Sequence, residues 1–119
     1  MNDLTDEDVS RKVALKCGWT ETTAEHPWNW RRPDGSARSL PAFASSLDAC
    51  RGPGGPLEFA FARGWGFELS TGSQSFDGEL PLRWWQAGFY QRLHVSHAKA
   101  TSPERAVCDA FLAAVEVAP

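Results

Sequence analysis

"LEFAFARGWGFELST", residues 57 to 71, decides how the rest of the chain is read. Its second half is a strand by pattern, because Phe67, Leu69 and Thr71 recur at period two and so share one side of an extended backbone. The first half admits two readings. Residues 57 to 62 alternate well enough for a strand, yet they also suit a helix that resumes after Arg51-Gly52-Pro53-Gly54-Gly55-Pro56, a run that would break any helix interior. Gly64-Trp65-Gly66 links the two halves.

Upstream of the break, Ser45-Ser46-Leu47-Asp48 is a capping pattern, which starts a helix near Ser46. Further back, Thr5 is placed to cap a first helix over roughly residues 5 to 17. Asp6, Glu7 and Asp8 sit at its positive end, Lys12 and Lys16 lie toward the other, and Gly18 stops it. Between these helices the residue types are those of strands. Trp19-Thr20-Glu21-Thr22-Thr23 and Trp28-Asn29-Trp30-Arg31-Arg32 read as two short paired strands, ended by the turn residues Pro33-Asp34-Gly35-Ser36, with 39 to 43 as extended loop.

Downstream, residues 72 to 81 form a polar connector, and 83 to 90 and 93 to 98 read as two further strands. The last element has the plainest signals. Ser102 caps it, Pro103 takes the first helical position, Glu104 follows, and Ala106, Val107, Ala110, Phe111 and Ala114 make one apolar stripe. The order α, β, β, α, β strands, α predicts an α+β fold. It takes the form of a three-layer α/β/α sandwich whose central, mainly antiparallel sheet has four to five strands, with two to three helices covering both faces.

The totals fit one domain over residues 1 to 119, with 42% hydrophobic and 23% charged residues. No apolar run reaches bilayer length, and Met1 to Asp8 is acidic where a signal peptide would be basic and then apolar, so a cytoplasmic protein is expected and a membrane partner is not. A net charge of −3 disfavours nucleic acid as a partner. Cys17, Cys50 and Cys108 are an odd count without CxxC spacing, which argues for reduced, partly buried thiols and against a thiolate metal site.

"LPAFASSLDA" (40 to 49), "RGWGFEL" (63 to 69) and "KATSPERAVCDAFLAAVE" (99 to 116), preceded by a helix, a tryptophan and a Trp-rich hairpin, resemble the small proteins grouped as the phage ABA sandwich domain. The resemblance covers nearly the whole chain in order. It implies a phage or prophage origin, action in the host bacterial cytoplasm and an α/β/α fold, and it carries no catalytic residues to transfer. The Gly/Pro run at 52 to 56 is where this chain departs from the pattern.

Six tryptophans need explaining. On a strand Trp28, Trp30 and Arg32 share a face, where two indoles and a guanidinium, with Arg38 nearby, form a candidate site for a small nucleotide-type ligand. Burial under a helix is the more economical account, because a covered sheet needs large apolar groups on both faces. Adjacent Trp84 and Trp85 point to opposite faces. His94 and His97 diverge on a strand, so no metal site and no cofactor is expected. No nucleophile with a base and an orienting acid stands out, so the chain is expected to bind rather than catalyse. Its expected partners are a host or phage protein or a second copy in a homo-oligomer, with the nucleotide-type ligand as the alternative.

Overall fold

The computed structural model describes residues 5–22, 29–74 and 82–117. Helix α1 (Asp6–Lys16) begins as its residues dictate, with the Asp8 amide donating to Thr5 Oγ1 at 3.1 Å. Val9, Val13 and Ala14 face inward, and Gly18, at φ +96°, turns the chain away. Next come β1 (Thr20–Glu21), β2 (Trp30–Arg31) and β3 (Ala37–Arg38), which form a small antiparallel sheet with Glu21 opposite Trp30 and Trp30 opposite Arg38. Residues 23–28 lie outside the described residues, Trp28 among them.

The question raised by residues 57 to 62 is answered as helix. Helix α2 (Leu47–Arg51) is capped by Ser46, whose Oγ accepts from the Ala49 amide at 3.2 Å, and α3 (Pro56–Ala62) follows with proline in its first turn. The glycines between them allow a tight join. A Cβ on Gly55 would stand 2.7 Å from the carbonyl oxygens of Ala49 and Cys50, so only glycine lets α3 start that close to α2.

Strands β4 (Gly66–Gln74), β5 (Leu82–Tyr90) and β6 (Val95–Ala100) form a second antiparallel sheet in that order, and α4 (Pro103–Val117) closes the described chain. The register sets Phe67 against Phe89 and Leu69 against Ala87, and sets Ala87 against Ala98 and Trp85 against Ala100. This face carries the core. Phe89 meets Phe67 at 5.1 Å between ring centroids and Phe111 of α4 at 5.8 Å, and Phe111 meets Phe59 of α3 at 5.3 Å. The buried cluster joins these rings to Val9, Val13, Trp19, Trp30, Phe43, Cys50 and the α4 stripe Ala106, Val107, Ala110 and Ala114.

The mixed α+β class stands, with two corrections to the detailed expectation. The described residues hold four helices and two three-stranded sheets, where two to three helices and one sheet of four to five strands were expected. The tryptophan hairpin stays apart because it pairs over only two residues per strand: Trp19 turns inward, its Nε1 donating to Gly54 O at 2.8 Å, and Pro33 ends β2. The second correction concerns cover. Helices were expected on both faces of the sheet, but Glu68, Ser70, Val95, His97 and Lys99 on the outer face are exposed, because polar side chains occupy the positions alternating with the core rings.

Candidate functional site

Among the described residues singled out by pattern, Trp30, Arg32 and Arg38 take different partners. Trp30 is 2% exposed and has the Arg11 guanidinium 5.8 Å from its ring centroid. Arg32 takes a different partner, lying 5.9 Å from the Trp19 centroid and 3.7 Å from an Asp34 oxygen. Arg38 is exposed and donates to the carbonyl of its neighbour Ala37. Trp28 lies outside the described residues. What sequence pattern did not show is the seat under Arg32. Gly54, at φ +77°, presses its backbone on Trp19, where a Cβ would come within 3.0 Å of the indole, so the Gly/Pro run that interrupts the middle helices packs against the N-terminal half of the chain.

Trp30 does border an open cleft of about 420 Å³, lined by α1, the small sheet and the 39–45 loop. Its charged rim is Asp6, Glu7 and Glu21 against Arg11, and Arg11 is already tied to Glu21 at 2.8 Å. Asp6 is paired in turn with Arg105 at 3.0 Å, so two guanidiniums offset two of the three carboxylates at this rim.

All three thiols are buried, and two of them are held in the protonated form by their surroundings. Desolvation pushes Cys17 up to about 12, so it stays a thiol through the neutral range. Cys50 donates its S–H to Phe43 O at 3.1 Å, and the hydrogen bond with Cys50, followed by burial, pushes the Cys108 thiol up as well. Among the described residues no three His, Cys, Asp or Glu side chains group as a metal site would require.

The groove with the chemistry of a docking surface lies elsewhere, where α2, α3 and β4 meet. Leu47, Leu57, Phe61, Phe67 and Leu69 line an open apolar volume of about 820 Å³, with Arg51 and Glu58 as its charged margin. The composition of α3 explains why it is there. Leu57 and Ala60 are buried, and Phe59 packs edge-on against Phe111 and Trp65. Phe61, four residues after Leu57, is left on the groove side and remains 59% exposed. One short helix thus carries more large apolar groups than the core consumes. That excess was the available signal in the sequence, but it appears only once 57 to 62 is read as helix.

No family model matches the chain, and no curated protein matches it. Among solved structures, a phage protein from Bacillus cereus ATCC 14579 superimposes with a TM-score of 0.61 over 98% of this chain and 93% of that one, at 13% sequence identity. At that identity the likeness shows a shared fold. No helix of the described residues is long and apolar enough to cross a membrane.

Proposed function

We propose that this chain is a phage or prophage accessory protein, at work in the host bacterial cytoplasm, that acts by binding a host or phage protein and not by catalysis. The groove between α2, α3 and β4 carries the reading. An exposed phenylalanine at the mouth of an apolar volume, bounded by one cation and one anion, is what a partner's apolar side chains flanked by charged residues would fill. The phage description of the structural neighbour supports the setting, and the buried, protonated thiols support the absence of cysteine chemistry.

A photo-crosslinking amino acid placed at Phe61 tests this in a bacterium carrying the phage or prophage. We expect a single protein to be captured from Phe61 and not from Leu93, a control position that is 84% exposed on a hairpin tip. Equal capture from both positions would overturn the reading.

A further inference from the structure

The outer face of the β4/β5/β6 sheet has an ordered chemistry that neither the core nor the groove uses. The register gives its rows: Gly66, Tyr90 and Val95, then Glu68, Gly88 and His97, then Ser70, Gln86 and Lys99. Its columns are unequal in bulk and charge. The β4 column is small and carries the carboxylate, whereas the β6 column is large and carries the imidazole and the ammonium. The centre is shaped to match. A Cβ on Gly88 would stand 2.6 Å from His97 Cδ2, so the imidazole occupies the space over the glycine, with the Tyr90 ring edge-on to it at 5.9 Å. Burial and then Glu68 beside it push the Tyr90 phenol up, and the Lys99 ammonium rests 4.7 Å from the centroid of Trp84.

We propose that this face is a self-association surface, and that a second copy of the chain packs on it face to face about a twofold axis parallel to β5. That rotation lays the small β4 column of one copy over the large β6 column of the other. Each Glu68 then stands opposite the His97 row of its partner and one row from Lys99, so shape and charge are matched by the same operation. The opposite assignment, β4 on β4, would set the large columns against each other, and with its axis at the central row it would also stack Glu68 on Glu68. From strand spacing and rise, the three strands offer a footprint of roughly 300 to 400 Å² per copy. That is roughly 600 to 800 Å² in all, short of the roughly 1,000 Å² that a stable interface buries, so the pair is a transient one, expected only at concentrations on the order of 100 µM.

Sedimentation of the full chain between about 5 and 500 µM reads this directly. We expect a monomer to dimer transition that weakens at least tenfold in Glu68→Lys and in Lys99→Glu, and that returns in the double variant carrying both reversals. Glu68 and Lys99 are both exposed, and circular dichroism is the check that each variant is folded. Carbodiimide coupling of a one-to-one mixture of light and ¹⁵N-labelled chain is expected to join Glu68 to Lys99 as mixed-mass peptides. A chain that stays monomeric to 500 µM, a dimer indifferent to either reversal, or a double variant no better than the singles overturns the proposal. So does a monomer that instead binds a single-stranded oligonucleotide through Trp84 and Tyr90.

Discussion

Trp30 shows how one residue was readable and its surroundings were not. Strand periodicity and a helix-rich chain place its indole in the core, and at 2% exposure it is there. Replacing Trp30 with Ala is therefore expected to cost about 3 to 5 kcal/mol, as for other large-to-small core changes, and urea unfolding is the measurement. An unchanged midpoint would show that the indole is not carrying core packing. Arg32 was grouped with Trp30 by the same periodicity, yet its partner is Trp19, and the backbone beneath that indole comes from Gly54, 35 residues along the chain from Trp19. Local spacing has no access to a contact of that range. Cys17 gives a prediction in pH. Burial raises its thiol from 9.0 to about 12, so the folded chain keeps its proton after the unfolded chain has lost it. Stability from this group is whole below pH 9.0 and falls as pH rises toward about 12, by at most about 1.4 kcal/mol per pH unit. Unfolding titrations at pH 8 and 10.5 should show the decline, and Cys17→Ala should reduce it. An identical decline in the variant would place the effect on other groups.

At the level of elements, those with end signals were legible and those held together by packing were not. Helix α4 announced itself through Ser102 and Pro103, and the Arg105 amide does donate to Ser102 Oγ at 3.3 Å. Ser102→Ala should cost about 1 kcal/mol, a typical value for a lost cap, and a thermal melt with no shift would show that the cap carries nothing. Strands β4, β5 and β6 were legible in their middles, and adjacency separated Trp84 from Trp85, but β4 runs on to Gln74 through residues read as connector, and β6 lies at Val95–Ala100 where 93 to 98 was expected. Helix α3 was ambiguous because its five residues from Leu57 to Phe61 alternate by composition, and what decides for helix is a proline in the first turn reached through two glycines. The same ambiguity hid the groove, since as a strand Leu57 and Phe61 would have shared a face with Phe59. Phe61→Ser tests that surplus. With the ring mostly in solvent, stability should change by no more than about 0.5 kcal/mol while the protein identified by crosslinking no longer co-purifies with the variant, and a large destabilisation would return Phe61 to the core.

For the whole molecule, the arrangement of β4 determines whether the two surfaces act together. Phe67 and Leu69 line the groove, and Glu68 and Ser70 lie on the outer face, so neighbouring residues of one strand serve opposite sides of one sheet. A strand transmits a change across its faces only by bending or shifting register, and β4 is pinned in register to β5 over nine residue pairs. The two surfaces should therefore be independent. Phe61→Ser is expected to leave the dissociation constant of the self-associated pair unchanged within about twofold, while Glu68→Lys leaves crosslinking at Phe61 intact. In the double variant, unfolding free energies measured at a concentration where the chain is monomeric should add within about 0.5 kcal/mol. Coupling larger than that would mean that a partner in the groove and a second copy on the sheet sense each other through β4. The chain would then be a switch between assembled forms, with the strand that separates its two faces as the moving part.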